Sequence, residues 1–149
     1  MPKISKNASI TLSLICCGIG FLGLIALGSL LPVYLPAHGG LYGETLPVWF
    51  VALVYLCLIP VAVADGFLVK LLLLVRKRQV FTDKAVSCLR TISWCCFIEA
   101  ALCLITARVF FPAHYAAAFV AGFLGLVLRV VKNVIEEAVA LKAENDFTI

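Results

Sequence analysis

"LVKLLLLVRKRQVFTDKAVSCLR", residues Leu68 to Arg90, decides how the rest of the chain is read. An apolar run stops on three consecutive basic residues, Arg76, Lys77 and Arg78. A short polar turn follows, and Lys84 and Arg90 then lead into another apolar run. A hydrophobic segment that ends on clustered Lys and Arg has the signature of a membrane span reaching the cytoplasmic face. Outward from this turn, four apolar runs are long enough for lipid, since about 20 residues cross a hydrocarbon layer. They lie near Ile10–Leu31, Leu46–Val75, Ile92–Phe111 and Tyr115–Val131. The second is over-long and is expected to tilt or to project past the membrane. The fourth merges with a helix that continues beyond it.

Composition agrees. The chain has 149 residues, 64% hydrophobic and 13% charged, against about half and about a quarter in a soluble domain. A chain this short keeps too much surface to hide the excess in a core, so lipid must solvate much of it. Lys3 and Lys6 precede the first run, and Arg129, Lys132 and Lys142 follow the last. The connections over 32–45 and 112–114 carry no Lys or Arg. Both termini and the middle turn are therefore expected in the cytoplasm. The net charge of +4 reads as topology and contact with anionic headgroups, not as nucleic-acid binding. The first run exceeds the roughly 7–15 residues of a signal-peptide core and is expected to stay as an anchor. The predicted fold is all-α: a single four-span membrane domain over 1–149, with a cytoplasmic helix and tail over 132–149.

The chemistry-bearing residues are sparse. Seven cysteines fall almost wholly inside the spans without a CxxC pair, which argues against disulfide redox work and for small, apolar packing. Cys88, near the inner interface, is a candidate for palmitoylation. "GIGFLG" at Gly18–Gly23 matches a dinucleotide-binding pattern by letter, but that motif needs a strand before it and a helix after it. Here it lies mid-span, and Ser9, Ser13, Cys16, Gly20 and Gly23 form a small-residue stripe suited to close helix approach. Ala118/Gly122 and Ala121/Gly125 offer the same on the fourth span. His38 and His114 lie far apart without a carboxylate or thiol cluster. No metal, cofactor or nucleophile–base pair is expected, and the chain is not read as an enzyme.

The third span is more informative. Cys88, Thr91, Cys95, Glu99, Cys103 and Thr106 recur at steps of three or four and share one helix face. A charged carboxylate at Glu99 facing lipid would cost on the order of 3 kcal/mol or more. With Asp65, Lys70 and Arg129 it is read as an intramembrane polar network. Two roles remain open for it: an interhelical ion pair or hydrogen bond that fixes packing, or an ion or proton relay.

Beyond the fourth span the pattern turns amphipathic. Val127, Val130, Val131, Val134, Ile135, Ala138 and Leu141 share one face, and Arg129, Lys132, Asn133, Glu136, Glu137 and Glu144 the other. One helix is predicted from about Tyr115 to Glu144, packed on the cytoplasmic extension of span two or on a partner. The polar residues Glu144, Asn145 and Asp146 are expected to end it. Asp146 and Thr148 then alternate with Phe147 and Ile149, as in a short extended segment with one apolar side. Leu141, Glu144, Asn145, Asp146, Phe147, Thr148 and Ile149 make up the candidate docking element, with a frayed end as the alternative.

"VLRVVKNVIEEAVALKAENDFTI" resembles the C-terminal signature of the bacterial membrane proteins known as domain of unknown function 2975 (DUF2975), which end in something close to E-N-D-L-T-I. Phe147 stands here where Leu is usual. "VFTDKAVSCLRTIS", with Phe81 and the Leu89–Arg90 pair, resembles the family's second recurring segment. The resemblance implies a bacterial plasma-membrane protein without an assigned activity. It also implies a neighbouring small helix-turn-helix regulator as a cytoplasmic partner, and hence a regulatory or accessory role. A second copy of the chain is a further candidate partner. The competing expectation is a small proton- or ion-coupled transporter using Glu99 and Asp65, although the small multidrug exporters carry their key Glu in the first span and span one here has no charge.

Overall fold

The computed structural model describes residues 6–38, 48–109 and 113–147, and they are helical throughout apart from one turn. Four helices follow in order: α1 (Lys6–His38), α2 (Val48–Arg76), α3 (Asp83–Val109) and α4 (Ala113–Phe147). All four are long and apolar enough to cross a membrane. The expectation of an all-helical chain with four helices able to span a membrane therefore holds, and two boundaries move. α1 runs past Leu31, through Pro32 and Pro36, to His38. α4 runs through the polar triplet at Glu144 to Phe147, so the extended tail does not begin at Asp146. Helix propensity explains the second shift: neither Gly nor Pro interrupts Leu141–Phe147, and Leu, Lys, Ala and Glu favour the helix. Thr148 and Ile149 lie outside the described residues.

Pro32 has no N–H with which to bond the Gly28 carbonyl one turn back. The Tyr55 hydroxyl of α2 donates to that carbonyl at 2.9 Å. A neighbouring helix thus supplies the donor that the proline withholds, which is how lipid-embedded helices tolerate such residues. Tyr55→Phe should therefore destabilise the chain by about 1–2 kcal/mol. The loss should shrink when Pro32→Ala restores the backbone donor. Unfolding of the four variants of that cycle in mixed micelles checks both statements, and an equal loss in both backgrounds would count against the substitution of one donor for the other.

The turn between α2 and α3 is built by backbone bonds. Arg78 N–H donates to Val75 C=O at 3.0 Å and Gln79 N–H to Leu74 C=O at 2.9 Å, the paired bonds of a Schellman ending. Arg78 takes the left-handed position with φ 58°, where glycine is usual. The Thr82 carbonyl accepts from Ala85 and Val86 N–H, so Thr82 holds the N-cap place of α3. Its hydroxyl donates back to Gln79 C=O at 3.0 Å and ties the turn.

Among the described residues the helices pack in chain order: α1 on α2, α2 on α3 and α3 on α4. α3 is the centre of the layer. Ala85, Cys88, Leu89, Cys95, Cys103 and Thr106 are all buried on it, and the predicted polar face of span three is indeed an inner face. The α3–α4 contact is the closest. Ser93 Oγ donates to Gly125 C=O at 2.9 Å, and a Cβ at Gly125 would stand 3.1 Å from the Phe97 ring. Gly122 and Ala118 lie on the same contact or buried beside it, so the small-residue spacing of the fourth span is used as expected. On α1, a Cβ added at Gly18, Gly20 or Gly23 would meet nothing within 4 Å among the described residues. α1 meets α2 nearer the other end, at Gly28.

Candidate functional site

Glu99 is half-buried on α3, one turn before Cys103. Its Oε1 accepts a hydrogen bond from the Cys103 thiol at 3.4 Å. Its Oε2 is buried and has no hydrogen-bond partner among the described residues. Cys96 on α3, Cys57 on α2 and His114 at the start of α4 lie near enough to interact with its charge. A thiol is a weak donor, so the carboxyl group is poorly solvated by the protein.

The other three residues of the expected network lie elsewhere. Asp65 sits against α1, close to the Cys17 thiol. Lys70 is exposed, with its ammonium 5.5 Å from the centre of the Phe67 ring. Arg129 lies over Trp94 at 5.2 Å. No ion pair joins Asp65, Lys70, Glu99 and Arg129 among the described residues. The helices explain this: Glu99 belongs to the middle of the layer, Asp65 to its α1 edge and Arg129 to the outer part of the α3–α4 hairpin. Nor do three or more His, Cys, Asp or Glu gather as a metal site among the described residues. Cys88 is only 1% exposed, so its thiol is unavailable for an acyl chain, contrary to the palmitoylation expectation.

A different charged cluster does form, and the reading of single helices missed it. Glu136 of α4 bonds Arg90 of α3 at 3.1 Å and Lys132 one turn back on its own helix. The Lys132 hydrogen bond, with Arg90 adding to it, holds the Glu136 carboxyl below the usual carboxylate range. The Lys132–Glu136 spacing of four was visible as a helix-surface pair. The Arg90–Glu136 pair, 46 residues apart, depends on how α3 and α4 align.

The amphipathic end of α4 is split by its neighbour. Ile135 and Ala138 are half-buried, while Val130, Val134 and Leu141 are 63%, 62% and 60% exposed. α4 packs on α3 and not on the extension of α2, which corrects one of the two expected partners for this face. Within the candidate docking element, Leu141, Glu144 and Asn145 are exposed helix residues, and Asp146 and Phe147 are the last helical positions. No curated protein matches the chain, and no solved structure does. The match that exists covers α2, α3, α4 and the last turn of α1: over residues 33–149 the chain belongs to the family described as Protein of unknown function (DUF2975).

Proposed function

We propose that this is a bacterial plasma-membrane protein, with both termini in the cytoplasm, that holds a cytoplasmic regulator through the end of α4. The observation that carries the reading is the uncovered apolar edge at Val134 and Leu141. α4 has 35 residues and so extends about 52 Å, well beyond the ~30 Å of a hydrocarbon core. Its last turns outrun the lipid that could cover that edge. The mixed polar face, with Glu137 and Glu144 among its acids, suits a protein better than an anionic membrane surface, which favours Lys and Arg. A small helix-turn-helix transcription regulator is the proposed partner, on the strength of the family resemblance. Crosslinking in membranes followed by pull-down should recover that regulator with the intact chain and lose it with a chain ending at Ala140. An unchanged set of partners after truncation would sink the proposal.

Glu99 Oε2, without a hydrogen-bond partner among the described residues, favours a second reading, proton- or ion-coupled transport, because an incompletely solvated carboxyl group in mid-span is a ready proton-binding site. Glu99→Gln in proteoliposomes decides it: loss of pH-driven efflux supports transport, and an identical flux in wild type and variant removes it.

A further inference from the structure

We propose that the cleft between α3 and α4 at Arg90, Arg129 and Lys132 is a binding site for the phosphate of an anionic phospholipid headgroup. Arg90, Ser93, Trp94, Arg129 and Lys132 line a cavity of about 60 Å³, room for a compact polar group and not for an acyl chain. Three cations from two helices face one small space, and Glu136 is bonded to two of them, Arg90 and Lys132. The balance at the cleft is three positive charges and one negative. Glu136 also orients the site, since its two oxygens hold Arg90 and Lys132 side by side.

Arg129, which has no ion pair among the described residues, supplies the recognition element. Its guanidinium lies over the Trp94 ring at 5.2 Å and lines the cavity. A planar fork of this kind matches two phosphate oxygens. Ser93 is not a competing donor, because its hydroxyl is spent on Gly125 C=O. The level is right for a headgroup: the long apolar run of α3 begins at Ile92, next to Arg90, and that of α4 ends at Leu128, next to Arg129. Trp94 stands one turn inside, in the interfacial position that tryptophan prefers. Basic pockets between spanning helices are a recurrent means of holding anionic headgroups. The site is independent of the docking reading and needs only that the helices cross a bilayer.

The test uses the full-length chain in neutral detergent, with retained lipid counted by native mass spectrometry and thermal protection followed in parallel. Phosphatidylglycerol should be retained and should protect, phosphatidylcholine should do neither, and inorganic phosphate at the same concentration should protect far less. Equal effects of the two lipids would overturn the site, and equal protection by inorganic phosphate would overturn its assignment to a lipid. Arg129→Gln/Lys132→Gln should weaken retention by about tenfold or more, the scale of one lost charged hydrogen bond. Lys77→Gln/Arg78→Gln removes the same charge from the turn, and an equal loss there would show diffuse attraction instead of a site. Should the first pair fold poorly, Arg129→Lys keeps the charge and removes the fork. Retention at the wild-type level in Arg129→Lys would contradict the role given to the guanidinium.

Discussion

Gly125→Leu should destabilise the protein by about 2 kcal/mol or more, the largest loss expected from a single substitution in these helices. Gly125 lies where α4 comes closest to α3. A Cβ alone would meet the Phe97 ring at 3.1 Å and 3.2 Å and the Cys96 Cβ at 3.3 Å. A leucine adds three more carbons in the same direction. Overpacking of a tight contact costs about 1–3 kcal/mol. Separating the helices also stretches the buried Ser93–Gly125 hydrogen bond, worth about 1 kcal/mol. Gly122→Ala, one turn away, is the control. Its Cβ would stand 3.8 Å from the Ala100 Cβ, an ordinary contact, and alanine is about 1 kcal/mol better than glycine within a helix. It should be neutral or stabilising. Titration of both variants with a denaturing detergent separates the cases, and similar midpoints for Gly125→Leu and wild type would refute the close contact.

Glu99→Met should have the opposite sign and raise stability by about 1–3 kcal/mol. Methionine keeps an unbranched chain of similar length and removes both oxygens. The gain comes from Oε2, which is buried without a partner and so carries an uncompensated desolvation cost of about that size. The bond lost in exchange, from the Cys103 thiol to Oε1 at 3.4 Å, is weak. A residue that costs the fold and stays in place is expected at a working site, because stability is commonly given up there. The same detergent titration reads the result. A variant that unfolds more easily than wild type would make Glu99 a structural anchor and remove the motive for the transport reading.

Much of the architecture is legible in the residues because lipid imposes a simple rule. A span must be apolar for about 20 residues and must be a helix, since its backbone has no water to bond. Four runs meet that rule, and Arg76, Lys77 and Arg78 mark one end of them. The inner face of α3 was readable for the same reason: Cys88, Cys95, Cys103 and Thr106 are smaller or more polar than the lipid-facing Ile98 and Leu104, and they are the residues found buried. The shared family signature in the last helix was equally visible.

Side-chain pairing was less legible. The periodicity of one helix states which face needs which solvent, but not the height at which a neighbour crosses it. Asp65 and Glu99 looked like partners for Lys70 and Arg129 when each helix was treated alone. The packing order of the helices instead sets Asp65 against Cys17, while Glu99 bonds Cys103 one turn along its own helix. Arg129 goes to Trp94, while Arg90 and Lys132 meet at Glu136. The end of α4 shows the same division. Its amphipathic stripe could be read from residues 127–141, but only the approach of α3 decides that Ile135 and Ala138 are partly covered while Val134 and Leu141 stay open. Spans, helix faces and charge asymmetry are local properties and follow from the order of residues. The pairing of Arg90 with Glu136 and the approach of Asp65 to Cys17 are set by the rotation and axial register of whole helices, which depend on the summed contacts at places such as Gly125 and Gly28.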